Sequence, residues 1–101
     1  MTSISPRHLC MQDNTTVAVF HASKGEGLPR HSHDYAHLTM CMAGSCRVEN
    51  ETRQLVMDMQ TTPINLRAGA WHEIEALEDH TIFVNVFTIP KERDVHETHN
   101  Y

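Results

Sequence analysis

Three histidines lie within seven positions of the sequence, at His31, His33 and His37, and a fourth, His72, follows further along the chain. Imidazole is the commonest protein ligand for transition metals. Alternate residues of a β-strand point to the same face. One strand, or two short strands that meet at a kink, could therefore direct the first three imidazoles to one point. The cluster predicts a metal site.

The elements that must position these histidines are predicted to be short strands. Helical periodicity is weak, and short runs rich in apolar and β-branched residues alternate with turn residues. The predicted strands are Val17–Ala22, His33–Ala43, Cys46–Glu49, Arg53–Met59, Thr62–Arg67, Trp71–Ala76 and Thr81–Ile89. Seven or so strands at this spacing favour an antiparallel sandwich or barrel.

The connections between these strands are rich in glycine and polar residues. Gly25–Pro29 is expected to be a loop, because two glycines and a proline in five residues disfavour regular structure. We expect hairpin turns at Ala43–Ser45 and Glu49–Glu51, and further connections at Arg67–Ala70 and Leu77–His80.

Length and charge exclude several classes of protein. A chain of 101 residues favours a single domain, 1–101, with polar and loosely held termini near 1–12 and 91–101. A formal net charge of −5 without a basic stripe disfavours nucleic acid and anionic membranes as partners. No apolar run approaches ~18 residues, and the first twelve residues lack the apolar core of a signal peptide. A cytoplasmic protein that crosses no membrane is expected.

The three cysteines, Cys10, Cys41 and Cys46, are odd in number and form no C-x-x-C pair. Free thiols in a reducing compartment are the simplest prediction. The alternative is a disulfide between Cys41 and Cys46 across the turn that separates them.

The first group of histidines resembles the first sequence motif of the cupins. That motif has the form G-x5-H-x-H-x3/4-E-x6-G. The chain places Gly25, His31, His33, His37 and Gly44 at these spacings. The departure is His37, which stands at the position of the motif's glutamate.

The region of His72 resembles the second cupin motif, G-x5-P-x-G-x2-H-x3-N, in part. Gly69 and His72 match it, whereas Thr61, Arg67 and Ala76 stand at the positions of its first glycine, its proline and its asparagine. The two motifs together span about half of the chain.

The resemblance implies an all-β fold, the cupin-type antiparallel β-barrel that is also called a double-stranded β-helix or jelly roll. It also implies one divalent transition metal per chain, held by His31, His33, His37 and His72. Imidazole ligands suit Zn, Fe, Ni or Cu, and Mn is a further candidate. Four imidazoles complete a tetrahedral zinc site, but they leave one or two positions open on a larger coordination shell.

Strand parity predicts the surroundings of the site. If His37 points inward, Thr39 and Cys41 do too, and an apolar outer face remains, made of Leu38, Met40 and Met42. We expect this face to pack on a second subunit, since cupin relatives commonly form dimers; a terminal segment of the chain is the alternative cover.

The residues adjacent to the histidines divide by the same parity. Tyr35 and Trp71 are expected to point away from the metal, and Glu73 and Glu75 to be solvated charges. Asn85 is either a polar group of the pocket or the partner of a backbone group. The cationic side chains near the site, which are expected to be exposed, are Arg30 and Arg67.

Catalytic residues remain unassigned, because no inward Asp or Glu can be named as a general base. This favours chemistry carried by the metal. The first hypothesis is a small metal-dependent enzyme, either an oxidoreductase of the dioxygenase type or a metal-assisted lyase, that acts on a small oxygen-rich molecule. The second is a non-catalytic cupin with a structural metal that binds or senses a small ligand. In either case, metal release is expected below about pH 5–6, because ligating imidazoles must be neutral.

Overall fold

The computed structural model describes residues 1–88, and the backbone of these residues forms ten strands. They are β1 (Thr2–Ser3), β2 (His8–Gln12), β3 (Thr15–Ala22), β4 (Glu26–His31), β5 (His37–Ala43), β6 (Ser45–Asn50), β7 (Gln54–Asp58), β8 (Ile64–Leu66), β9 (His72–Ala76) and β10 (Thr81–Thr88). Within residues 1–88 there is no helix long and apolar enough to cross a membrane.

The strands form two five-stranded sheets. Sheet A has the order β1-β4-β9-β6-β7, and sheet B has the order β2-β3-β10-β5-β8. All pairings are antiparallel except the short parallel contact between β1 and β4. The chain crosses repeatedly from one sheet to the other, and the predicted all-β architecture is confirmed.

The core lies between the sheets because each inner strand alternates buried and partly exposed residues. The rings of Phe20 and Phe83, both fully buried, stack with centroids 4.7 Å apart. Burial of each such ring contributes roughly 1.5–3 kcal/mol to stability. Ile74 and Met57 of sheet A fill the same layer. This packing holds the two sheets at a fixed separation near the histidines.

The expectation of a loop at Gly25–Pro29 is wrong. These residues belong mostly to β4, which lies between β1 and β9 in sheet A. The glycines and the proline are tolerated because the pairing with β9 shifts register between Leu28 and His31. Such a bulge is a place where a proline without an N–H fits into a sheet.

The predicted hairpin at Ala43–Ser45 is also wrong. The flanking strands β5 and β6 lie in different sheets, so this turn carries the chain across the sandwich. The hairpin at Glu49–Glu51 is confirmed, because β6 and β7 pair directly and Glu49 lies opposite Gln54. Local turn signals are the same in both cases, and only the packing of the sheets distinguishes them.

The N-terminal residues form two strands that the sequence did not predict. Five residues, His8–Gln12, pair with β3 at the edge of sheet B, and all five are exposed. Main-chain hydrogen bonds to β3 thus hold their backbone in place, although their side chains bury little surface. Ile89 and the tail 91–101 lie outside the described residues.

The three cysteines are free thiols, as predicted. Cys41 and Cys46 are buried, and the Cys41 thiol donates to the carbonyl of Ala43 at 3.2 Å. Burial raises the pKa of both thiols, so both are protonated at neutral pH. They act as small apolar core residues.

Gly27 lies where β4 passes close to the backbone of β9. A Cβ atom at this position would overlap the carbonyl oxygen of Ile74. We expect Gly27→Ala to lower the free energy of unfolding by about 2–3 kcal/mol, because a backbone clash in a paired strand must displace one of the strands. Urea unfolding of the metal-free protein measures this loss.

Gly25→Ala is the matched control. Gly25 has φ +88°, but a Cβ there meets no atom within 4 Å. This variant should lose only about 1–2 kcal/mol from left-handed strain. Equal losses in the two variants would mean that close approach of the strands does not constrain Gly27.

Candidate metal site

Two sheets and one connection supply the four histidines of the predicted site. His31 ends β4 and His72 begins β9, and the two lie opposite each other in sheet A. His37 begins β5 in sheet B, and His33 lies in the segment that joins the sheets. The arrangement therefore follows the predicted alternative of two strands that meet at a kink.

The four imidazoles are packed against one another. His72 is central, with ring centroids at 4.4 Å from His31, 4.9 Å from His33 and 5.0 Å from His37. The His33 ring is 5.5 Å from His31 and 5.1 Å from His37. All four predicted site residues are thus brought together.

Each ring is oriented by a hydrogen bond at Nδ1. His31 Nδ1 donates to the carbonyl of Pro29 at 2.7 Å, His33 Nδ1 to that of Tyr35 at 2.7 Å, and His72 Nδ1 to that of Ala70 at 3.4 Å. Carbonyl oxygens only accept, so these contacts set the Nδ1–H tautomer and leave a lone pair on Nε2.

The Nε2 atoms face the centre of the cluster. Ligand atoms of His31, His33 and His72 all lie within 4.8 Å of one another, a spacing at which they could hold a metal ion. Nε2 of His31 and Nε2 of His33 are buried without a hydrogen-bond partner. His37 Nε2 contacts His72 Nε2 at 3.2 Å. Buried unpartnered acceptors are costly, and a divalent transition metal is the cation whose chemistry fits these donors.

Known structures share this arrangement of strands. KdgF from Halomonas sp. has a TM-score of 0.72 at 14% identity, over 82% of this chain and 77% of its own. A cupin superfamily protein from Desulfitobacterium hafniense DCB-2 has a TM-score of 0.70 at 11% identity, over 86% and 83%. The chain has the cupin fold.

A third known structure shares this fold. This is a protein with a double-stranded β-helix domain from Klebsiella pneumoniae, with a TM-score of 0.68 at 19% identity over 83% of this chain and 72% of its own. No family model and no curated protein matches the sequence. The likeness is therefore one of fold.

Gly69, which matches the glycine of the second cupin motif, shapes the turn next to the histidine cluster. Gly69 has φ +79°, a left-handed conformation that glycine adopts without strain. Its N–H donates to the carbonyl of His33 at 2.8 Å. The turn before β9 is thereby tied to the segment that carries His33.

Burial favours the neutral form of three imidazoles of the cluster, His33, His37 and His72. Desolvation, together with the neighbouring imidazoles, lowers the pKa of His37 to about 3 and that of His72 to about 4. Desolvation also lowers the pKa of His33. Neutral imidazole is the form that binds a metal, so the rings are ready to ligate at physiological pH.

The aromatic neighbours of the site depart from strand parity. Tyr35 does not point away; it is buried and stacks on His33 with ring centroids 4.1 Å apart, and it contacts Phe87 at 4.7 Å. The reason is that Tyr35 lies in the connection before β5, where alternation does not apply. Trp71 is half-buried, and the exposed Arg30 guanidinium lies 3.6 Å from its ring centroid.

Glu73 and Glu75 are not solvated charges, although neither belongs to the histidine cluster. Both pair with Arg47 on sheet A, at 3.2 Å and 3.0 Å, and Glu49 completes the group at 2.7 Å. Strand parity predicted the outward direction of both glutamates, but it could not predict that Arg47 on the neighbouring strand is their partner. The predicted exposure of Arg67 is confirmed.

Sequence reasoning missed the partner of His37. Thr39 Oγ1 lies 3.0 Å from His37 Nδ1 and donates to Asn85 Oδ1 at 2.7 Å. The inward direction predicted for Thr39 is confirmed, and Asn85 is a fully buried polar residue that is connected to His37 through Thr39. The signal that could have found it is strand parity, because Thr39 lies two residues after His37 on the same face of β5.

Proposed function

We propose that the protein binds one divalent transition metal through His31, His33, His37 and His72, with each imidazole contributing Nε2. The observation that carries the proposal is that the Nε2 atoms converge while every Nδ1 is hydrogen-bonded. Each buried acceptor left without a partner costs about 1–3 kcal/mol, which a bound cation would offset.

We further propose that the protein is a small metal-dependent enzyme that acts on a small oxygen-rich molecule. When bound, the metal would supply Lewis acidity or activation of dioxygen. His31 and His33 are half-buried, whereas His37 and His72 are buried, so the first pair lies on the side by which a small molecule reaches the cluster. Within residues 1–88 no carboxylate belongs to the group of close ligand atoms. This favours oxidoreductase chemistry of the dioxygenase type or a metal-assisted lyase.

A second candidate is a non-catalytic cupin with a structural metal that binds or senses a small ligand. Its support is the number of imidazoles, because four nitrogen ligands complete a tetrahedral zinc site. The free buried thiols favour a reducing compartment for either candidate, and the cytoplasm is the proposed location.

Metal identity and coordination number separate the two candidates. We expect elemental analysis of the purified protein to give one transition metal per chain. Cobalt substitution then reports geometry: a weak d–d spectrum of five- or six-coordinate Co²⁺ supports the enzyme, and an intense four-coordinate spectrum supports the structural metal. Protein that takes up no Co²⁺, Zn²⁺ or Fe²⁺ would rule out both candidates.

We also propose that the outer face of sheet B packs on a second copy of the chain. Its strands β3, β10 and β5 present apolar side chains and threonines, and His21 is the ionisable side chain among them. Leu38 and Met42 on this face are 43% and 54% exposed. Because this face carries no Asp, Glu, Lys or Arg, two copies of it can meet at a two-fold interface without like-charge repulsion between such residues. The edge strand β2 pairs beside this face and does not cover it.

Sedimentation velocity at micromolar to high micromolar concentration tests the dimer. We expect wild-type protein at twice the chain mass of 11.6 kDa, and a monomer for Leu38→Lys combined with Met42→Lys. Buried unpaired lysines should weaken association by at least ~100-fold, which is about 2.7 kcal/mol. Val56→Lys is the control, since Val56 is 60% exposed on β7 of the other sheet. A wild-type monomer at high micromolar concentration would refute the dimer.

A further inference from the structure

A buried chain of three side chains links His37 to the centre of sheet B. Thr39 lies directly opposite Asn85 across β5 and β10, and both are fully buried. His37, also buried, joins them through Nδ1. No main-chain group takes part in the two hydrogen bonds that connect these residues.

The direction of these hydrogen bonds determines the tautomer of His37. The Thr39 hydroxyl has a single proton, which it donates to Asn85 Oδ1. Its oxygen then remains as an acceptor, so His37 must donate from Nδ1–H. The lone pair of His37 is consequently on Nε2, the atom that faces His72 Nε2 at 3.2 Å.

The other three histidines are held differently. Their Nδ1 atoms donate to the main-chain carbonyls of Pro29, Tyr35 and Ala70, which no side-chain substitution removes. Of the four, His37 is the histidine whose Nδ1 partner is a side chain, the Thr39 hydroxyl. His37 is also the one predicted ligand outside the triad whose ligand atoms lie mutually within 4.8 Å.

We propose that Thr39 and Asn85 are positioning residues that keep His37 in its metal-ligating tautomer and so decide whether the site has three ligands or four. This inference rests on the proposed metal site. Without the hydroxyl, His37 can move its proton to Nε2 and donate to His72 Nε2, which is already within hydrogen-bond distance. That bond would occupy two of the four lone pairs and compete with the metal.

Thr39→Val removes the hydroxyl and keeps the shape, and Thr39→Ser keeps the hydroxyl. We expect Thr39→Val to weaken Co²⁺ binding about 10–100-fold in chelator competition, the usual effect of losing an outer hydrogen-bond partner of a ligand. Its Co²⁺ spectrum should change to that of a site with one fewer nitrogen. Thr39→Ser should bind as wild type does.

A double-mutant cycle separates positioning from general damage. In a His37→Ala background, Thr39→Val should cause no further loss of Co²⁺ affinity, because the ligand that it positions is gone. A loss of the same size in both backgrounds would overturn the proposal, as would Thr39→Val that binds Co²⁺ within threefold of wild type.

The tautomer can also be read without any metal or variant. Nitrogen NMR of the metal-free wild type should show the His37 proton on Nδ1, and a proton on Nε2 would overturn the proposal even if Thr39→Val fails to fold. Failure of the metal site itself is a different result, since wild-type protein would then bind no Co²⁺ while the His37 tautomer stays as inferred.

Discussion

His72→Ala should lose nearly all of its bound metal. His72 is the imidazole that lies nearest to all three others, and it is 1% exposed, so no other side chain can take its place. A structural zinc site binds with about 10–16 kcal/mol, so one of four ligands is worth roughly 3 kcal/mol, or at least 100-fold in affinity. Elemental analysis after dialysis and Co²⁺ competition measure the loss.

The control for His72→Ala must account for the other histidines of the chain, which has nine. His8 and His21 have neighbouring rings 5.9 Å apart on sheet B, away from the cluster. The double variant His8→Ala with His21→Ala should keep its metal in full. Full retention by folded His72→Ala, or equal loss in both proteins, would exclude the proposed ligand set.

The metal-free protein should lose stability steeply as the pH falls below about 6.5, the ordinary pKa of histidine. Burial lowers the folded-state pKa of His37 to about 3 and that of His72 to about 4. Between these values and 6.5 the unfolded chain binds protons that the folded protein does not. Stability is therefore complete above pH 6.5 and decreases as acid is added.

Two such rings change the free energy of unfolding by up to about 3 kcal/mol per pH unit. Small domains have about 5–15 kcal/mol in total, so we expect metal-free protein to unfold between pH 6 and pH 4. Circular dichroism and urea unfolding across this range test the expectation. A stability that stays constant from pH 7 to pH 4.5 would contradict it.

Bound metal should move this acid unfolding transition to lower pH. Metal binding stabilises the folded state, whereas protonation of the histidines stabilises the unfolded state. The ordinary pKa of imidazole places metal release below about pH 5–6. The buried rings should instead keep the ion at pH 5 and release it nearer to pH 4. The exposed His21 offers a control: His21→Ala should leave the transition of the metal-free protein unchanged.

Most of the strands could be predicted because the sequence pattern that indicates a strand lies within the strand itself. Short apolar and β-branched runs bounded by turn residues identified all seven predicted strands to within a few residues. The two N-terminal strands were missed, and β4 was missed because glycine and proline weigh against a strand in isolation. Its pairing with β9, through a register shift, is a non-local feature that no periodicity reports. The turn at Gly44 was misread as a hairpin for the same reason.

The sequence by itself determined which residues meet at the site. Odd parity within seven positions selected His31, His33 and His37, and the resemblance to the two cupin motifs implied the set of four that includes His72. Only the tertiary structure decided how the imidazoles are held: which atom of each ring faces the centre, and that Thr39 with Asn85 orients the fourth. The Nδ1 contacts are local, but Thr39 meets Asn85 only when β5 pairs with β10, and His37 of sheet B meets His72 of sheet A only once the two sheets have packed.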